Sequence, residues 1–162
     1  MAVSVAAAGE RPRADVRARL GPVSTFPPRR ARFSTPLRVR YADTDTSGNA
    51  HHRVYLTYFE VARVESLRSL GVPVADLHAN GILMPVVEVR VKYLRPARLD
   101  DLLDVAVLLD HVGPASFCFD YEVSRDDILL ATGWTRIAVI DRETMRAVTL
   151  PAWVRELLGG VG

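Results

Sequence analysis

Asp43 and Asp45 stand two residues apart in the stretch YADTDTSGNAHHRVYLTYFEVAR, residues 41 to 63, with His51 and His52 a short way downstream. Carboxylates and imidazoles are the side chains that carry protons or attack electrophiles near neutral pH, so acid/base chemistry is the first expectation. Thr44, Thr46, Ser47 and Gly48 break regular structure around the acids, which places both carboxylates where the chain turns. Such turns are where a fold aims an ionised group at a substrate. The apolar residues directly after the histidines predict a helix, and its first N–H groups, reinforced by the helix dipole, would form an electropositive end beside the acids.

The same residues admit plainer roles. Asp43 and Asp45 are turn formers, and Ser47 or Asn49 can cap the helix. Asp43 is assigned to shaping the loop or orienting its neighbour. Glu60 and Arg63, three residues apart on the predicted helix, make an i,i+3 ion pair the default expectation. The run from Asp43 to Gly48 imitates the first half of a calcium loop, but its twelfth position is Val54 where a bidentate glutamate is required. Adjacent histidines leave a helix start in different directions, so no metal site is expected. No G-x-S-x-G occurs, which disfavours a serine hydrolase.

The 162 residues suit one domain with a sizeable core. No apolar run approaches the roughly 20 residues of a spanning helix, so no membrane span is expected. Lys92 is the only lysine, the net charge is +2, and no basic cluster is interleaved with aromatics, so nucleic acid is not an expected partner. Cys118 is the only cysteine, which excludes an internal disulfide and suits a cytoplasmic location. Its place in the alternating run SFCFDYEV marks it as a packed strand thiol.

Residues 1–34, rich in Ala, Arg and Pro, lack periodicity and are expected to be a disordered or loosely attached extension, with a single domain over 35–162. Leu37, Val39 and Tyr41 alternate with Arg38 and Arg40, predicting a strand with one buried face. The helix is predicted over about 52–70, with a broad apolar face from Val54 to Leu67 and an end at Gly71 and Pro73. Val87, Val89, Val91 and Tyr93 alternate with Glu88, Arg90 and Lys92 in a second strand. Three more are predicted near 102–111, 115–125 and 128–140, joined by turns too short for crossover helices, and a short helix follows Pro151. An antiparallel sheet curled around one long helix satisfies this order, an α+β arrangement.

The D-T-D-x-x-G segment followed by Y-x-x-Y-F-E-x-A-R resembles the hotdog-fold acyl-CoA thioesterases of the 4-hydroxybenzoyl-CoA thioesterase family, in particular its YbgC-like branch. Tyr93 to Asp101 is similar to a second segment of that family, Y-x-x-P-A-x-x-D-D. The resemblance spans about residues 35–145 and implies a helix wrapped by an antiparallel sheet, assembled as a homodimer or homotetramer with sites between subunits. It implies hydrolysis of an acyl-CoA or acyl-carrier-protein thioester without cofactor or metal. By position, the family's catalytic carboxylate falls on Asp45, and the amide that polarises the thioester carbonyl falls on or near the backbone N–H of His52. Tyr41 and His52 match positions often held by Tyr and His there, whereas His51 departs from a more usual aromatic and bears on the acyl pocket. Glu60 is the alternative carboxylate, since some hotdog thioesterases use one from this helix. Arg90, Lys92, Arg95 and Arg98 are candidates for the phosphates of coenzyme A. A non-catalytic hotdog module that binds acyl chains or a protein partner is the competing expectation.

Overall fold

A computed structural model describes residues 33–159. Of the expected extension, residues 1–32 lie outside the described residues, while Phe33 and Ser34 already belong to the first strand. The strands are β1 (Phe33–Arg38), β2 (Ile82–Leu83), β3 (Val86–Tyr93), β4 (Leu102–Val112), β5 (Ser116–Arg125), β6 (Ile128–Ala138) and β7 (Ile140–Asp141). The helices are α1 (Val54–Ser69), α2 (Val74–Ala79) and α3 (Ala152–Gly159). Five strands form one sheet in the order β1-β4-β5-β6-β3, every neighbouring pair antiparallel. The chain is therefore α+β, an antiparallel sheet curved around α1.

Alternation decides which side chains meet α1. Leu103, Val105 and Val107 of β4 and Phe117, Phe119, Tyr121 and Val123 of β5 join Tyr55, Tyr58, Phe59, Ala62 and Leu67 of α1 in one core. Each such side chain contributes about 1.5–3 kcal/mol when withdrawn from water. Phe59 stacks on Tyr121 with ring centroids 4.4 Å apart. Gly133 of β6 makes room for it, because a Cβ there would stand 2.3 Å from the Phe59 ring. Beyond the helix, Leu150, Val154 and Leu158 close the core from the C-terminal side.

α1 ends in a Schellman motif. Gly71 takes φ +79°, its N–H bonds to Arg68 O at 3.1 Å, and Val72 N–H reaches Leu67 O at 2.9 Å. Leu56 and Glu60 on the opposite side of α1 are exposed, so the sheet wraps one face of the helix rather than enclosing it. Tyr41 corrects the sequence expectation: β1 stops at Arg38, and Tyr41 begins a 3-10 turn with 83% of its surface exposed. The turn forms because Asp43 reaches back to the Arg40 backbone N–H at 3.0 Å. α2 and the small β2–β7 sheet are the elements that the apolar pattern did not announce.

Candidate active site

The loop from Tyr41 to Arg53 is held by two struts. Asp45 N–H donates to Asn49 O at 2.9 Å and Gly48 N–H to Asp45 O at 3.0 Å, closing a tight hairpin in which Gly48 has φ +76°. Ala50 N–H donates to Ala97 O at 2.8 Å and Leu99 N–H to Gly48 O at 3.3 Å, tying that hairpin to the segment after β3. Asp101 secures the segment in turn, accepting from Arg98 N–H at 2.7 Å and from the Arg125 guanidinium. Tyr93-to-Asp101 is thus the buttress of the Asp43-to-His52 loop.

The two aspartates lie in opposite environments. Asp43 is 2% exposed and accepts bonds from the Arg40 guanidinium at 2.7 and 3.1 Å and from Tyr58 O–H at 3.2 Å. The Arg40 bond is the chief reason its carboxyl sits below the ordinary range, and burial with the Asp43 charge pushes the Tyr58 phenol up. Its backbone O also accepts from His51 N–H at 2.8 Å, so Asp43 fixes the way into α1. Asp45 is exposed, and its hydrogen bonds fall on one oxygen: Oδ1 accepts Ser47 Oγ–H at 2.5 Å, Ser47 N–H at 2.8 Å and Asn49 N–H at 3.4 Å. The Ser47 hydroxyl leads these in holding its carboxyl below the usual range. Oδ2 accepts no bond among the described residues.

Asp45, His52 and Arg95 line one cleft of about 380 Å³ together with Ala50, Tyr55 and Tyr93. Tyr93 O–H donates to His52 O at 2.9 Å and its ring meets Tyr55 edge-on at 5.2 Å, so the peptide entering α1 is clamped at the cleft wall. His52 N–H makes no hydrogen bond among the described residues, whereas Arg53 N–H is engaged by His51 Nδ1 at 3.3 Å. An anionic oxygen, a clamped amide and a cation on one cleft provide a base or nucleophile, a donor for developing negative charge, and a grip for an acidic substrate.

The other expected site residues are placed elsewhere in the chain. Tyr41 projects into solvent, and His51 lies beside His52 with ring centroids 4.2 Å apart. Glu60 lines a separate cavity of about 190 Å³ with Arg63, His78 and Met84. The expected Glu60–Arg63 ion pair is not formed among the described residues, because Arg63 turns inward to Tyr121 O–H at 3.5 Å. Arg90 and Lys92 line a groove of about 530 Å³ on the sheet, where Arg90 lies 4.7 Å over the Trp134 ring and pairs with Glu88 at 2.7 Å. Arg98 is exposed at the buttress. Of the arginines proposed for phosphate, only Arg95 reaches the carboxylate's cleft. Tyr55 and Tyr93 were read as core and motif residues; their hydroxyls at the cleft depend on pairings across about 40 residues, which no local pattern carries.

The fold is that of the hotdog-type thioester hydrolases. Residues 39–158 match the thioesterase-like superfamily, and the chain belongs to it. Among curated relatives, the acyl-CoA thioesterase YbgC of Haemophilus influenzae is 36% identical over 124 residues, covering 76% of this chain and 91% of that protein. Among solved structures, the hypothetical protein TT1821 of Thermus thermophilus superposes with TM-score 0.77 at 35% identity, over 80% of this chain and 99% of that one. The DHNA-CoA thioesterase of Staphylococcus aureus does so with TM-score 0.77 at 28% identity, over 80% of this chain and 90% of its own.

Proposed function

We propose that this chain hydrolyses acyl-CoA thioesters at the cleft between the Asp45 loop and the start of α1. The observation that carries the reading is the meeting of Asp45, His52 and Arg95 on one cleft wall. Asp45, ionised at neutral pH, takes a proton from water as the water oxygen bonds to the thioester carbon. The carbonyl electrons move to oxygen, and the His52 N–H stabilises that charge; losing such a donor in other enzymes costs about 2.7–4 kcal/mol. Collapse of the adduct breaks the C–S bond, and the departing thiolate takes the proton back from Asp45, leaving acid and thiol. Direct attack by Asp45, giving a mixed anhydride that water then opens, uses the same groups.

Arg95 is assigned to the substrate's phosphates. Leu94 lines both the cleft and the larger groove, so a long substrate can run from Asp45 towards Lys92 and Arg90. An acyl-carrier-protein thioester presents the same phosphopantetheine arm and is the alternative carrier. We assign the working form to a homo-oligomer. β3 is an edge strand, and Val87, Val89 and Tyr93 are 54%, 42% and 48% exposed although they alternate as a core face should. An open apolar strand of this kind is a template for pairing with another copy. A cytoplasmic location belongs to the same reading; no helix among the described residues is long and apolar enough to cross a membrane.

The test is turnover of a panel of short-chain, long-chain and aromatic acyl-CoA and acyl-carrier-protein thioesters by the purified protein, followed by thiol release. Hydrolysis of at least one class with saturation kinetics is expected. Binding without turnover across the panel would instead make the chain a hotdog binding module.

A further inference from the structure

The flank of α1 that borders β3 carries an apolar path away from the Asp45 cleft. Leu56, Glu60, Arg63 and Leu67 follow one another at spacings of three and four residues, so they line one side of the helix, with His52 ahead of them on the same line. β3 runs beside that flank in the opposite direction. At one end Tyr93 O–H bonds His52 O at 2.9 Å; at the other Met84, two residues before β3, lines the cavity of about 190 Å³ with Glu60, Arg63 and Leu67. Between these ends the register fixes which side chains of β3 face the helix. Val86 stands opposite Ile137 and Val89 opposite Thr135, whose side chains are buried on the inner side of the sheet. Leu56, Val86 and Val89 are 43%, 46% and 42% exposed, so an open apolar strip joins the cleft to the cavity.

The cavity closes that strip. Its floor is Leu67, Phe117 and Ile137, all buried, and Val64 and Met84 stand in its walls. Arg63 is drawn to Tyr121 O–H at 3.5 Å, while Glu60 and His78 are exposed at the rim. An engineered apolar cavity of about 150 Å³ holds benzene, so this one has room for the last several carbons of a chain. A helix rises about 1.5 Å per residue, which sets Glu60 about 12 Å beyond His52. An acetyl or butanoyl group held at the His52 N–H stops short of the cavity, whereas a dodecanoyl chain reaches it. We propose that the strip and cavity bind the hydrocarbon tail of a long-chain acyl thioester, its end seated on Leu67, Phe117 and Ile137. This rests on the reading of the Asp45 cleft as the catalytic site, and it makes Val64 and Met84 the residues that set chain length. Arg95 follows Tyr93 at the far end of β3, so carrier and tail extend in opposite directions from the thioester.

The test uses S-alkyl coenzyme A thioethers, which cannot be hydrolysed and so read tail binding whether or not the cleft is catalytic. Isothermal titration compares S-ethyl with S-dodecyl coenzyme A, below the micellar concentration, on the wild-type chain and two variants. Val64→Phe fills the cavity, and Leu56→Asp puts a charge on the strip. Each methylene withdrawn from water contributes about fourfold in affinity, so the wild-type chain should bind the dodecyl compound at least about a hundredfold more tightly than the ethyl one. That ratio should fall about tenfold or more in both variants, with far-UV circular dichroism reporting the fold. Should Val64→Phe fail to fold, Leu56→Asp, at an exposed position, decides alone. Equal affinity for the two chain lengths would overturn the proposal, and so would a ratio unchanged in the folded variants, which would place the tail elsewhere. A strong chain-length ratio that both variants lose, in a protein that turns over no thioester, would strike the catalytic reading and uphold the tail site.

Discussion

The smaller cleft and the larger groove of this protein have opposite characters. The groove of about 530 Å³ carries Arg90, Lys92 and Asp120, yet Arg90 is already engaged: it lies 4.7 Å over the Trp134 ring and pairs with Glu88 at 2.7 Å. The cleft of about 380 Å³ holds a carboxylate with one oxygen committed to a tight turn and one unbonded among the described residues. Size and charge density thus point away from the cleft proposed for the chemistry. What marks the proposed site is a rigidly held group with hydrogen-bonding capacity left over.

If that contrast is right, substitutions under the groove should act through stability and those beside the cleft through catalysis as well. Gly133→Ala should act most strongly on the fold, because its Cβ would drive into the Phe59 ring. Overpacking costs of about 1–3 kcal/mol predict a clear drop in the denaturation midpoint, measured by urea titration. Asp43→Ala should lower stability by a similar or smaller amount, about 1–3 kcal/mol, by leaving the Tyr58 hydroxyl without its acceptor. Unlike the glycine change, it should also reduce kcat, since the Asp43 carboxylate holds the turn, through Arg40 and Tyr58, from which its backbone O receives the His51 N–H at the entry to α1; equal kcat in both variants would erase the distinction.

Arg95→Ala should raise KM for a coenzyme A substrate about tenfold, while leaving a pantetheine thioester without the nucleotide phosphates little changed. Arg90→Ala should raise it by no more than about threefold, given how much of that guanidinium is already occupied. A reversal of this order would move the phosphate site into the groove. The finest test is Ser47→Ala. The Ser47 hydroxyl is the leading cause of the low Asp45 pKa, so activity that needs the ionised form is lost only as pH falls through that lowered value. Removing the hydroxyl should shift the acidic limb of the kcat profile upward.

Much of this contrast was open to reading from residue order. The alternation of β3 to β6, the α1 pattern and the Gly71–Pro73 stop follow from local periodicity and turn chemistry, and they appear in the structure close to their expected bounds. Asp45 and His52 could be paired because they are close in sequence, and the structure places both on one cleft wall. Arg95 was named, but its separation from Arg90, Lys92 and Arg98 was not. Side chains alternate across a strand, and the chain turns after Tyr93, so neighbours in sequence go to different surfaces. Tyr55 and Tyr93 escaped notice because an amphipathic ring looks like core until its hydroxyl finds His52 O or Ala97 N–H. Tyr41 misled for a local reason, continuing an alternation that Asp43 interrupts by capping Arg40.

The central claim is that Asp45 performs the chemistry, and the most direct measurement is kcat of Asp45→Asn on the acyl-CoA thioester that the wild-type chain turns over fastest, with the thermal midpoint followed in parallel. The amide keeps the Oδ1 acceptor for the Ser47 turn and removes the charge, so an unchanged midpoint is expected beside a fall in kcat of about a hundredfold or more. Turnover within a few-fold of wild type in a folded Asp45→Asn protein would contradict the assignment and shift attention to Glu60.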